Sequence, residues 1–209
     1  YKLGARFTKW RGVYNISNKY PSNLSIHSNA HALARYSALV QECGMVPIVE
    51  PEVLMDGDHS ADDCLIKTSE VIKKCFEDLI LHKIDLTGII LKPNMILAGN
   101  KSKNKISNEE VSSKTLECLK KSVPSEIPGI AFLSGGQSEL EATENLNLIN
   151  KNNNTNFIMT YSYGRALQKG ALKFWSKDIK DIKGTQNVFN HRAKMCTLAA
   201  QGKWSKELE

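Results

Sequence analysis

No apolar run in the sequence approaches the roughly 18 residues that a membrane-spanning helix needs, and the opening residues carry no signal-peptide pattern. The five cysteines, Cys43, Cys64, Cys75, Cys118 and Cys196, include no CxxC pair, which removes the common zinc and dithiol motifs. Their number is odd and three fall on apolar helical stripes, so they are expected to be reduced thiols of a cytoplasmic protein. Of the histidines at 27, 31, 59, 82 and 191, only His27 and His31 stand four apart. That pair lacks the glutamate of a zincin motif and reads as an exposed helix face, so no metal and no cofactor is expected. There is no block of five or six like charges and no zinc-finger or RNA-binding signature, so nucleic acid is not an expected partner. Low complexity is confined to Asn150–Asn156, a length that suits a loop.

What remains is an ordinary globular composition. The 209 residues are 41% hydrophobic and 24% charged, close to soluble averages and enough for a sizeable core. The net charge of +6 suits an anionic small substrate as well as any other acidic partner. Helical spacing predicts a helix over Leu24–Cys43, stopped by Gly44 in a left-handed cap. Ser60 with Asp63 forms a capping-box pattern ahead of a stripe of Leu65, Thr68, Val71, Ile72, Cys75, Phe76 and Leu79. Ser107 with Glu110 repeats the pattern, with Val111, Thr115, Cys118 and Leu119 inward. Further helices are expected over Ser138–Asn150, Ala166–Trp175 and Ile182–Gln201. Short apolar strands are expected at Ala5–Lys9, Met45–Val49, Gly88–Leu91, Ile130–Leu133 and Phe157–Tyr161.

Strands alternating with helices imply parallel βα units. A polar cluster follows every expected strand: Lys9-Trp10-Arg11, Glu50-Pro51-Glu52, Lys92-Pro93-Asn94, Ser134-Gly135-Gly136 and Ser162-Tyr163-Gly164-Arg165. Functional groups at all the strand ends are how a (β/α)₈ TIM barrel builds its site, whereas a doubly wound sheet concentrates them at one switch point. A barrel has eight strands and about 250 residues. Five strands therefore predict an α/β protein formed of strands 4–8 of a barrel with their helices, residues 1–209 making one partial domain.

Lysine is seldom buried without a partner, so Lys9 and Lys92 are each candidates for a salt bridge with Glu50 or Glu52, the expected state of one of them. A second ammonium nearby and desolvation favour the neutral amine of the other, making it a nucleophile toward a carbonyl. The resulting iminium is an electron sink for C–C cleavage, and a neighbouring carboxyl group can shuttle the protons. Ser134-Gly135-Gly136 is expected to open a helix and present free N–H groups to a phosphate, and Gly164-Arg165 to add a guanidinium. The residues thus predict an enzyme that forms a lysine Schiff base with a phosphorylated carbonyl compound.

Phe7-Thr8-Lys9-Trp10-Arg11, Val46-Pro47-Ile48-Val49-Glu50-Pro51-Glu52, Leu91-Lys92-Pro93-Asn94-Met95, Phe132-Leu133-Ser134-Gly135-Gly136-Gln137-Ser138 and Tyr161-Ser162-Tyr163-Gly164-Arg165-Ala166-Leu167 resemble, in order, class I fructose-bisphosphate aldolase. The resemblance implies a (β/α)₈ fold and reversible cleavage of fructose 1,6-bisphosphate to dihydroxyacetone phosphate and glyceraldehyde 3-phosphate, in glycolysis and gluconeogenesis. It implies Lys92 as the Schiff-base lysine, Glu50 as the proton-transfer residue and Lys9 in charge and proton handling. It places Ser134, Gly135, Gly136, Ser162, Gly164 and Arg165 at the phosphate, with Arg11 and Glu52 in the supporting charge network. It also implies a homotetramer, and contacts with actin or adhesin tails as the non-catalytic alternative. The family's first three strands, which carry an aspartate and a lysine used in cleavage and second-phosphate binding, and its tail ending in tyrosine have no expected counterpart here. A chain limited to these residues is accordingly expected to be molten or aggregated, and inactive.

Overall fold

The computed structural model describes all 209 residues. Five parallel strands pair in sequence order: β1 (Phe7–Tyr14), β2 (Val46–Val53), β3 (Ile90–Leu91), β4 (Gly129–Phe132) and β5 (Ile158–Tyr161). Between them lie α1 (Asn23–Glu42), α2 (Ala61–Leu81), α3 (Asn108–Ser122) and α4 (Glu139–Lys151), and α5 (Arg165–Trp175) and α6 (Ile182–Ala200) follow β5. The strand order never reverses, so the sheet has no switch point, as in a barrel wall. No helix is long and apolar enough to cross a membrane.

The helices start where their caps place them. Ser60, Ser107 and Ser138 each accept from the backbone N–H three residues on, while Asp63, Glu110 and Glu141 bond back to the serine N–H. Helix α1 starts from Ser22, and Gly44 takes its expected positive φ of 70° just past the end. The expected stripe of α2 is inward, with Ile72, Cys75 and Leu79 wholly buried in one cluster with Leu33 of α1 and Leu91 of β3, and Val71 wholly buried in a second one with Tyr14, Ile26 and Val53. The larger core runs on through Leu119, Phe132, Leu146 and Met195 to Trp204, a cluster of 33 buried residues.

All five strands differ from the expected bounds, β4 and β5 by a single residue at an end and β1 and β2 the most. Strand β1 runs on to Tyr14 and β2 to Val53, so Lys9, Arg11, Glu50 and Glu52 lie inside strands and do not follow them. Eight consecutive residue pairs join β1 to β2, and the acids of β2 find cations across that ladder, which removes the cost of placing charge in a strand. Strand β3 pairs with β2 only at Ile48 and Val49, so Pro47 and Pro51 fall outside that ladder and forfeit no bond to it. Gly88, expected in a strand, ends a 3₁₀ turn capped by Asp85.

Cys64, Cys75, Cys118 and Cys196 are buried and unpaired, and Cys43 is exposed. Burial pushes the Cys75 thiol up to about 12, with the nearby Asp78 carboxylate adding to it, and the Cys118 thiol up to about 11. Both stay protonated at neutral pH. An aromatic disulfide reagent is expected to modify Cys43 rapidly in the folded protein and the other four only on denaturation. Fast reaction of two or more thiols would contradict this packing.

Candidate functional site

Glu50 is the hub of the site. Its side chain is 4% exposed, its Oε1 lies 3.2 Å from Lys92 Nζ and its Oε2 3.0 Å from Lys9 Nζ. The neighbouring pair is Arg11 Nη1 to Glu52 Oε2 at 2.9 Å, with Glu52 also buried. Each cation on β1 reaches an acid two residues beyond its ladder partner, since Lys9 opposes Ile48 and Arg11 opposes Glu50. Residues two apart share one face of a strand, so the four charges form one layer. Lys92 follows β3 directly, and its N–H bonds the Val49 carbonyl at 2.8 Å, bringing it level with Glu50. Both lysines, and not one, therefore pair with the same carboxylate. Lys92 is the more enclosed, its side chain 12% exposed against 43% for Lys9.

Asn94, two residues past Lys92, fixes that position. Its Oδ1 accepts from the Val53 N–H at 2.9 Å, and its Nδ2 donates to Thr68 Oγ1 and to the Met95 carbonyl, both at 3.1 Å. One buried side chain thus ties the end of β2, helix α2 and the segment after Lys92 together. Gln137 has a similar part after β4. Its Nε2 donates to the Ser134 carbonyl at 2.8 Å, and its Oε1 accepts from Asn145 Nδ2 at 2.7 Å. Sequence reasoning passed over both amides. The only signal was their place beside the motifs, because a buried amide is recognisable only once its partners are known.

Gly135 and Gly136 do not open a helix. They form a turn with φ of 56° and 84°, and α4 begins two residues later from its Ser138 cap. Neither glycine N–H donates to any group of the chain. At Gly136 a Cβ would also meet Met55 Sδ at 2.9 Å, a contact the flexible methionine can relieve, so it is the positive φ that favours glycine there. Arg165 begins α5, and Gly164 is its cap. Of the six α-helices only α5 has no side chain bonded at its N-terminus. The first N–H groups of α5 and the positive end of its dipole are thereby left for an anion. Tyr163 anchors this turn by donating its hydroxyl to the Ala142 carbonyl at 2.9 Å, and burial holds that phenol protonated, well above its ordinary range.

Glu52, Gly135, Gly136 and Arg165 line one cavity of about 220 Å³ together with Met55, Asp56 and Asn100, which were not foreseen. Ser134 is buried and does not line it, and Ser162, partly buried, spends its N–H on the Phe132 carbonyl at 2.8 Å. Lys9, Lys92 and Glu50 sit together in the charge layer and do not line this cavity. A larger cavity of about 470 Å³ lies between α5 and α6, but it has no ionisable lining residue and cannot supply acid–base or nucleophilic chemistry.

The arrangement places two amines against one buried carboxylate, and unbonded backbone N–H groups with a guanidinium nearby, on one sheet. A family model described as fructose-bisphosphate aldolase class-I matches residues 1–209. A probable class 1 fructose-bisphosphate aldolase of Xanthomonas campestris is 47% identical over 205 residues, 98% of this chain and 61% of the relative. A cytosolic fructose-bisphosphate aldolase of Arabidopsis thaliana is 45% identical, covering 97% of this chain and 52% of its own length. A fructose-bisphosphate aldolase of Plasmodium falciparum, solved with TRAP and a small-molecule inhibitor, superposes with a TM-score of 0.95 at 42% identity. That match covers 98% of this chain and 59% of the Plasmodium one, so the present chain spans roughly half to three fifths of these relatives.

Proposed function

Because the chain belongs to the class I fructose-bisphosphate aldolase family, we propose that the intact protein cleaves fructose 1,6-bisphosphate reversibly through a Schiff base on Lys92. The observation that carries this reading is the Glu50 carboxylate of β2 held within 3.2 Å of two lysines, one inside β1 and one just past β3, the strands on either side of it. Neutral Lys92 attacks the ketone carbon, forming the C–N bond of a carbinolamine. Glu50 delivers the proton with which the hydroxyl leaves as water, giving the iminium. Electrons of the breaking C–C bond then flow into the iminium, releasing the aldehyde. Lys9 balances the charge of Glu50 as its proton moves. The base for the departing carbon's hydroxyl proton belongs, by the resemblance, to the part of the relatives that precedes this segment.

The free amides of Gly135 and Gly136, the uncapped start of α5 at Gly164 and the Arg165 guanidinium hold the substrate phosphate, with Ser134 and Ser162 at its edges. Glu52 and Arg11 keep this layer electrically balanced. Arg165→Ala is expected to raise KM for phosphorylated ketoses roughly ten- to a hundredfold, the worth of one charge-assisted contact. Unphosphorylated analogues serve as the control. If both substrate types lost equally, Arg165 would hold the turn and not the phosphate.

A cytoplasmic tetramer acting in glycolysis and gluconeogenesis is the setting that the family suggests, the Arabidopsis relative being named cytosolic. The second reading is a non-catalytic module for cytoskeletal or adhesin tails. The Plasmodium neighbour was solved with TRAP, and a net charge of +6 attracts acidic tails. Borohydride reduction in the presence of fructose 1,6-bisphosphate separates the two. Aldolase chemistry leaves one stable adduct per chain, located by peptide mass at Lys92, and a binding module leaves none.

A further inference from the structure

We infer that His31, Asp78 and His82 form a site for a borderline divalent cation of the zinc class, which clamps α1 to α2. One ring nitrogen of each histidine and one Asp78 carboxylate oxygen lie within 4.8 Å of one another. Asp78 and His82 are four apart at the end of α2, the spacing that stacks two side chains on one helical face. His31 meets them from α1, its ring centroid 5.1 Å from that of His82. His82 Nδ1 lies 2.8 Å from the Asp78 carbonyl, which assigns the proton to Nδ1 and leaves the Nε2 lone pair free. A ligating histidine is oriented in this way, by donating its other nitrogen to a backbone carbonyl.

The Asp78 carboxylate supplies the independent sign. Asp78 is 7% exposed and its buried Oδ2 has no hydrogen-bond partner. Lys74 Nζ, 3.3 Å from that oxygen, is an ion-pair neighbour that it shares with Glu77 at 3.1 Å. A buried carboxylate left in that state is costly, and a divalent cation is a stronger counter-charge than a shared ammonium. Two imidazoles and a carboxylate favour zinc over magnesium or calcium. Tetrahedral zinc needs donors about 3.4 Å apart, so atoms now up to 4.8 Å apart must draw together by up to about 1.4 Å. Exposed His31 has the freedom to close that gap and leaves the fourth position to water. In a parallel βα unit α2 starts at the carboxyl ends of the strands and runs back, so its end at Leu81 lies at the opposite end of the sheet from Lys92, and the site is structural. Sequence spacing could not reveal it, since His31 and His82 stand on different helices.

The test is a titration of the chelator-stripped intact protein with Zn²⁺, read by calorimetry and by thermal unfolding, in a Cys43→Ser background that removes the exposed thiol. One equivalent per chain and a rise in Tm are expected. His31→Ala, at an exposed position, and Asp78→Asn, which keeps the shape, should each weaken binding about 10–100-fold or more. His27→Ala, one turn away on α1, should change nothing, and borohydride trapping at Lys92 should be the same with and without zinc. Absence of stoichiometric binding, or affinity unaltered in both His31→Ala and Asp78→Asn, would overturn the site.

Discussion

Lys92→Arg is expected to abolish both the borohydride-trapped adduct and the cleavage of fructose 1,6-bisphosphate by the intact protein. The guanidinium keeps a positive charge against Glu50, yet it stays protonated at any working pH and has no amine to offer. Removal of a covalent nucleophile elsewhere costs on the order of 10⁴–10⁶-fold in turnover, and a loss of that size is expected here. Lys92 is enclosed, so the larger side chain could disturb packing, and a thermal unfolding curve close to wild type is the control. Lys9→Arg separates the two lysines, because Lys9 only balances charge and its replacement should leave trapping intact. Trapping that survives in Lys92→Arg and vanishes in Lys9→Arg would exchange their roles. Glu50→Gln should still bind substrate while slowing iminium formation roughly 10²–10⁴-fold, the usual worth of a positioned acid–base group. Unchanged turnover in that variant would move the proton transfer to Glu52.

Why Lys9, Lys92 and Glu50 were legible, but not the sharing of one acid by both lysines, follows from what each feature depends on. Helices α2 and α3 could be read because their capping boxes and stripes are local. Ser60 with Asp63, and Ser107 with Glu110, need nothing beyond their own turn. The ends of β1 and β2 were misplaced because Trp10, Arg11, Glu50 and Glu52 look like loop residues until the partner strand neutralises them. Their ion pairs span 41 residues, a distance at which periodicity carries no information. The glycine turn after β4 shows the same limit in reverse. A glycine pair ahead of a helical stripe reads as a helix start, whereas Ser138 competes for that role and wins by bonding Glu141. Motif order indicated which residues would meet. That one carboxylate serves two ammoniums, and that Asn94 and Gln137 hold the strand ends in place, emerges only from the packed structure.

The Tyr1–Glu209 polypeptide by itself is expected to be molten or aggregated, and inactive even though Lys92 is present. Strand β1 pairs only with β2 and β5 only with β4, so each has one open edge of backbone donors and acceptors. Such edges recruit other chains. On β1, Phe7 is 63% exposed and Trp10 56%, and on β5 Ile158 is 74% exposed. In a closed barrel these edges are paired, and side chains from alternate strands fill the interior in layers. A domain is stable by only about 5–15 kcal/mol, so a few large side chains left in water and two unpaired edges are enough to unfold it. The polypeptide's thermal unfolding and its cleavage of fructose 1,6-bisphosphate are the measurements. A broad, featureless transition with no turnover is expected. Fusing the part of a relative that precedes the matched region should cover the edges and restore both a sharp transition and activity. A cooperative transition accompanied by turnover in the 209-residue polypeptide would show that the sheet tolerates both open edges, and that the catalytic layer on β1, β2 and β3 is sufficient by itself.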